Sequence, residues 1–247
     1  MTQPIYAVGD IHGQIDQLLI ALDRIERDGG PDAPIVFLGD YVDRGPHSAA
    51  VIELLRKGLA DGKPWTALKG NHDRLFEWFL EETPRHDPHL KVGHYWLHPD
   101  LGGQTTLASY GVAVPEGIRL EAVHAEALKA VPQAHREFLR ALTRWHQTDD
   151  HIFVHAGLRP DVPLTAQNEQ DLVWIREPFL SDTRDFGKLI VHGHTARDYP
   201  EHCGNRVNLD GGAAYGRPLY PAVLQGRDVW LLTEDGRVPL SPQGENV

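Results

Sequence analysis

Cysteine is all but missing from this chain: Cys203 stands alone among 247 residues. No disulfide can form within the chain, and a zinc site of paired Cys-x-x-Cys thiolates is excluded. Both facts favour a reducing compartment. Long apolar runs are missing as well. Nothing approaches the ~20 apolar residues that span a bilayer, and the opening MTQPIYAVGD lacks the basic segment and apolar stretch of a secretory signal. The expectation is a cytoplasmic protein with no membrane partner. Positive charge is scarce too, since 24 Lys and Arg face 35 Asp and Glu for a net charge of −11. Sequence-independent grip on a nucleic-acid duplex needs cations laid along the phosphates and is excluded on that balance. A small or local phosphate substrate is not excluded, because bound metal ions and a few placed arginines reverse the sign inside one cleft.

What is present is a repeating pattern. From residue 4 to about 80, a short apolar run, a Gly-bearing corner and an amphipathic helix follow one another three times. The runs are 5–8, 35–38 and 65–68. The helices carry Ile15, Leu18, Leu19, Leu22 and Ile25; then Val51, Ile52, Leu55 and Leu59; then Leu75, Phe76, Phe79 and Leu80. Such alternation predicts an α/β layer structure. Residues 83–150 read as a helical insertion, a Pro/His/Gly-rich loop followed by helices near 120–130 and 134–146. Apolar runs resume at 152–154 and 189–191. Three more (207–209, 219–224, 229–232) predict an antiparallel meander closing a second sheet. A chain of this length buries roughly three quarters of its unfolded surface as one domain. The expected domain spans 1–238, with a flexible tail over 239–247.

Fifteen histidines are many, and their placement gives them meaning. Five apolar runs end in polar corners: Gly9-Asp10-Ile11-His12-Gly13, Gly39-Asp40-Tyr41-Val42-Asp43-Arg44-Gly45, Gly70-Asn71-His72-Asp73, His155-Ala156-Gly157 and His192-Gly193-His194-Thr195. Hard oxygen and imidazole donors thus gather at strand C-termini, the edge where open α/β sheets bind ligands. Asp10 and His12, two apart on an extended segment, point the same way and can share one ion. Asp40 has two carboxylate oxygens to bridge that ion to a second, completed by Asn71, His155 and a histidine of the 192–194 segment. A sulfur-free Asp/His/Asn set suits two divalent cations such as manganese, with iron or zinc as alternatives. Two ions ~3.5–4 Å apart generate a hydroxide nucleophile and clamp the oxygens of a phosphoryl displacement. His72 is placed to protonate the leaving oxygen, with Asp43 fixing its tautomer. Arg44 offers a planar fork to phosphate oxygens.

GDIHG, GDYVDRG, GNHD, HAG and GHT, in this order, resemble the phosphoprotein phosphatase family of the calcineurin-like metallophosphoesterases. The likeness runs from about 5 to 233 and is strongest to the compact bacterial and lambda-phage type serine/threonine phosphatases. It implies a sandwich of two mixed β-sheets flanked by helices. It also implies that Asp10, His12 and Asp40 hold one metal, and Asp40, Asn71, His155 and His194 the other. His194 is chosen over His192 as the histidine of the G-H-T segment. Trp174-Ile175-Arg176-Glu177 matches a family segment whose arginine binds the substrate phosphate, which adds Arg176 to Arg44. The implied activity is hydrolysis of phosphoserine or phosphothreonine in proteins or peptides. Two departures stand out. Asp73 replaces the usual Glu, as in many related phosphoesterases and in dinucleoside tetraphosphate hydrolases, and Gly211 stands where bacterial members commonly carry Thr. The alternatives are therefore a dinucleoside tetraphosphate hydrolase, acting on a phosphorylated small molecule, and a non-catalytic scaffold of the same fold.

Other polar residues read as ordinary. His192 suits a hydrogen-bonded strand histidine, and His86, His89, His94 and His98 suit a solvated loop. Gly102-Gly103 shapes a turn, Tyr215 lines either the cleft or the core, and Cys203 needs no role.

Overall fold

Apolar alternation sorts the strands into two sheets. The computed structural model describes residues 3–242. In β1 (Ile5–Val8) all four residues are buried; Ile5 and Ala7 face one layer, Tyr6 and Val8 another. A strand apolar on both faces has to be covered on both. After α1 (Ile15–Gly29) comes β2 (Ile35–Phe37), and after α2 (Ser48–Ala60) comes β3 (Trp65–Ala67). These three strands are parallel neighbours, with Tyr6 opposite Ile35 and Ile35 opposite Trp65. α3 (Asn71–Phe79) begins on the GNHD motif itself.

The insertion supplies α4 (Gly103–Ser109), α5 (Leu120–Ala130) and α6 (Gln133–Ala141). The helix expected over 134–146 stops at Ala141. Thr143 N–H donates to Ala67 O and Lys69 N–H to Thr143 O, so the chain turns onto the open edge of β3, and Trp145–Gln147 becomes a strand, β4. Backbone partners at a free edge outweigh the helical pattern there. β4 pairs antiparallel with β5 (His151–Val154). Then follow α7 (Glu169–Trp174), β6 (Leu189–His192), β7 (Glu201–His202) and β8 (Arg206–Asn208). This second sheet has the order β4-β5-β6-β8-β7.

Of the three closing runs, the first, now β8, lies in the second sheet as expected, but the other two belong elsewhere. β9 (Ala222–Gln225), β10 (Asp228–Thr233) and β11 (Gly236–Pro239) extend the first sheet, whose order is β11-β10-β9-β1-β2-β3. The reason is again two-sided burial: Ala222 and Leu224 face the layer between the sheets, while Val223 joins the helix-side core. The expected tail starts too early as well, since Pro239 pairs with Trp230 and Leu240 N–H donates to Val229 O at 2.9 Å. Residues 243–247 lie outside the described residues. Both sheets are mixed, and helices flank them, as the resemblance implied. Among the described residues, no helix is long and apolar enough to cross a membrane.

The layer between the sheets packs Ile5, Ala7, Val36 and Leu38 against Phe153, Leu189, Val191 and Val207. On the helix side, α1 buries Leu18, Ala21 and Ile25, whereas Leu19 is 48% exposed. At 100° per residue Leu19 falls off the stripe that its neighbour occupies. Leu18→Ala is expected to cost about 2–5 kcal/mol and Leu19→Ala within about 0.5 kcal/mol of nothing. Paired urea midpoints check this, and equal effects would refute the assigned face.

Candidate metal centre

Five corners from both sheets meet at one place. The backbone there is unusual. Six described non-glycine residues have positive φ, and five of them are His12, Asp40, Asp43, Arg44 and His194. Such conformations persist only where the surroundings over-determine them, and they gather at functional sites. His12, at φ 48°, is therefore not on the extended segment expected for it. The glycines before the ligands have a steric reason. A Cβ at Gly193 would overlap Asp10 Oδ1, and one at Gly70 would overlap Asp40 Oδ1.

Asp40 is the hub. Its Oδ2 lies 3.6 Å from His12 Nε2, and its Oδ1 lies 3.5 Å from His155 Nε2. The two oxygens thus serve two donor groups, the geometry that bridging requires. His155 Nε2 and His194 Nδ1 both stand 2.9 Å from Asn71 Oδ1. Asp10 joins from the side: its carboxylate accepts the His194 N–H at 3.1 Å through either oxygen. It is not among the side chains whose donor atoms all converge within 4.8 Å, which among the described residues are His12, Asp40 and His72 in one group, Asp40, His155 and His194 in a second, and, away from the motifs, His94, His98 and Asp100 in a third.

Three observations fit divalent cations here. First, His12 and His155 give their Nδ1–H to the carbonyls of Val42 (2.7 Å) and Leu38 (2.9 Å), which leaves Nε2 as a bare lone pair. This is the outer hydrogen bonding that orients metal-binding imidazoles. Second, burial holds His12, His155 and His194 below the usual imidazole range, so they are neutral near pH 7 and able to ligate. His155 Nε2 then meets Asn71 Oδ1 as acceptor against acceptor, an arrangement that a cation relieves. Third, burial and the charges of Asp210 and Asp40 push the Asp10 carboxyl well up. The Arg44 guanidinium is already a stand-in cation, donating to His12 Nε2 at 2.7 Å.

Beside this cluster lies an oriented imidazole. His72 Nδ1–H donates to Asp43 Oδ2 at 2.7 Å, and His72 packs edge-on against His12 with ring centres 4.8 Å apart. Asp43 is fully buried and also accepts from Trp96 Nε1 (2.9 Å) and Thr106 Oγ1 (2.7 Å). Its carboxylate cannot turn without losing three bonds. Arg44 N–H donates to Gly102 O at 3.3 Å, so the Gly102 turn braces the arginine. Arg176 is exposed at the end of α7, and its charge bears on His155 and His194.

A model of the calcineurin-like phosphoesterases matches residues 3–215. The chain belongs to the calcineurin-like phosphoesterase family. Similar proteins include bis(5'-nucleosyl)-tetraphosphatase PrpE [asymmetrical] of Bacillus cereus strain Q1, 24% identical with 96% of each chain covered. The protein of that name from Halalkalibacterium halodurans is 26% identical, with 94% of each covered. A solved structure of a candidate diadenosine tetraphosphatase superposes with a TM-score of 0.64 at 22% identity, over 97% of this chain and 94% of that one. The cold-active protein-tyrosine phosphatase of a Shewanella species gives 0.64 at 17% identity, over 98% and 81%. These two likenesses establish the shared fold.

The metallophosphoesterase has support residues that its motifs do not announce. Asp73 faces away from the cleft. Its carboxylate accepts N–H bonds from Asp40 (2.7 Å), Tyr41 (2.9 Å) and Gly70 (2.9 Å), tying the corner after β2 to the one after β3. Its identity therefore speaks of scaffolding more than of substrate. Asp87 is a second buried anchor, paired with Arg74 at 2.5 Å and accepting from Trp174 Nε1 at 3.0 Å. That pair links α3 to the segment carrying Arg176. Trp96, Thr106, Asp87 and Arg74 escape sequence reasoning because their partners lie far along the chain. Asp210 leaves a signal: like the five motifs, it follows a strand end and precedes Gly211-Gly212. Burial pushes its carboxyl up to about 6, with the Asp40 charge acting in the same direction.

Among the remaining histidines, His192 Nδ1 donates to Gly193 O at 3.1 Å and its ring packs edge-on against Phe179, while burial pushes it down to about 3. His94 and His98 stack on one another with ring centres 3.8 Å apart. Gly211 lies against Pro200, and nothing in the structure explains why glycine stands there.

Proposed function

We propose that this metallophosphoesterase hydrolyses dinucleoside tetraphosphates at two divalent cations held by Asp10, His12, Asp40, Asn71, His155 and His194. The observation that carries the substrate is the end-to-end similarity to asymmetrical tetraphosphatases, 94–96% of both chains. It shifts the reading away from the phosphoprotein substrate expected from the motifs. Manganese is the first choice of metal, with iron or zinc also suited to the donor set. When bound, such cations supply a nucleophile at neutral pH and neutralise phosphate oxygens.

The chain's own residues do the rest. Arg44 and Arg176 bind the equatorial oxygens of the phosphate under attack. His72 carries a proton on Nε2 to the leaving oxygen, and Asp43, held by Trp96 and Thr106, stabilises the imidazolium and keeps Nδ1 as the donor. Water adds to the attacked phosphorus as its bond to the bridging oxygen breaks, the departing nucleotide keeps that oxygen and takes the proton from His72, and asymmetrical cleavage releases a mono- and a triphosphate.

One feature favours the phosphoserine or phosphothreonine substrate as a second reading. A fixed acid such as the Asp43–His72 pair matters most when the leaving group is an alkoxide. Parallel rates on diadenosine tetraphosphate, a phosphoserine peptide and p-nitrophenyl phosphate, each with added Mn²⁺, decide between them. The expected result is preference for the tetraphosphate, with ATP and AMP as products. Turnover of the peptide without cleavage of the tetraphosphate restores the protein phosphatase. Two bound metals with no hydrolysis of any of the three returns the fold to a scaffold.

A further inference from the structure

The side chains assigned so far all bear on phosphate, and none meets a nucleoside. Tyr215 is placed to do so. It ends the short turn Ala213–Tyr215, between Gly212 at φ 83° and Gly216 at φ 81°. Its N–H donates to Gly212 O at 2.9 Å, and Gly212 N–H to Asp210 Oδ1 at 3.0 Å, so the turn is pinned to a carboxylate beside Asp10. Tyr215 nonetheless remains 59% exposed. Its neighbours are cationic: the Arg44 guanidinium carbon is 5.5 Å from the ring centre and that of Arg217 is 6.0 Å away.

Arg44 connects this ring to the metal centre, because the same guanidinium donates to His12 Nε2 at 2.7 Å. A flat aromatic face thus stands one arginine away from the candidate ligands, on a backbone that fixes its position. Surface aromatics of this kind, beside guanidinium groups, are the ordinary platform for a nucleobase joined to phosphate. A separate cavity of about 570 Å³, lined by Tyr95, Gln104, Glu116, Ile118 and Leu120, includes no motif residue in its wall.

We propose that Tyr215 is a nucleobase platform, on which the base of the nucleoside nearest the cleaved phosphate stacks while Arg44 holds the adjoining phosphate. This rests on the dinucleotide reading and adds a subsite to it. The site then takes a nucleotide in preference to a bare polyphosphate, and any base serves, since every base has a π-face.

The test compares wild type, Tyr215→Ala and Tyr215→Phe with Mn²⁺ present, measuring KM for diadenosine tetraphosphate and the competitive Ki of inorganic tetraphosphate. Tyr215→Ala is expected to raise KM about tenfold and to leave Ki unchanged, while Tyr215→Phe matches wild type in both. Equal rises in KM and Ki overturn the platform, because they mean the ring only props Arg44. An unchanged KM in Tyr215→Ala, with wild-type cleavage intact, also overturns the platform and leaves the dinucleotide reading standing. Wild type that cleaves p-nitrophenyl phosphate and ignores diadenosine tetraphosphate overturns both.

Discussion

His72→Asn lowers kcat about 10²–10⁴-fold, the range expected for loss of a positioned proton donor, while bound metal per chain stays at the wild-type value. The amide nitrogen of asparagine can still donate to Asp43, so the buried carboxylate keeps three donors: Trp96, Thr106 and the amide. What disappears is the ionisable nitrogen on the cluster side of the ring. On any phosphoserine peptide turned over, the loss is larger than on p-nitrophenyl phosphate, because an alkoxide needs a proton far more than a nitrophenolate, and this split identifies the missing function as proton donation. His72 does converge with His12 and Asp40, however. If metal and turnover fall together in elemental analysis and kinetics, His72 is a ligand and the proton comes from elsewhere.

Asp40→Asn has the other large effect. Both carboxylate oxygens are engaged, Oδ2 toward His12 and Oδ1 toward His155, and Oδ1 also accepts His72 N–H at 2.9 Å. Asparagine preserves the shape, removes the negative charge and turns one oxygen into an N–H donor facing an imidazole. The expected outcome is loss of both cations and a fall in turnover of at least about 10³-fold. Circular dichroism should remain native, because Asp73 still holds the two corners together. One retained ion per chain, measured on the purified protein, would show that the carboxylate serves one cation alone and that the bridge is misassigned.

Much of the fold was legible because its signals are local. The run–corner–helix pattern that gives β1, α1, β2 and α2 depends on residues within reach of one another, and the five motif corners sit at strand ends as expected. The failures share one cause, which is pairing across sequence distance. The stretch 142–147 has a helical pattern, yet Thr143 finds its partners at Ala67 and Lys69. The β9–β10 hairpin reads as a meander from its turns, and nothing nearby in the chain states that Leu224 will lie opposite Ile5. The site divides the same way. Donor identities were written in the motifs, whereas Trp96, Thr106 and Asp87, which brace the elements the donors stand on, come from the opening part of the insertion, ahead of its two periodic helices.

The cluster draws its donors from both layers. Asp10, His12, Asp40 and Asn71 follow strands of one sheet, while His155 and His194 follow strands of the other, and the distance between them is set by the packing of Val36 and Leu38 on Phe153 and Val191 together with the bonds from His155 to Leu38 O and from His194 N–H to Asp10. The candidate metal centre is therefore a seam, and neither half of the sandwich carries the full donor set. A fragment ending near residue 80 would own Asp40 and Asn71 and have no imidazole to close the second position, so hydrolysis reports on how well the halves are mated as much as on the residues themselves.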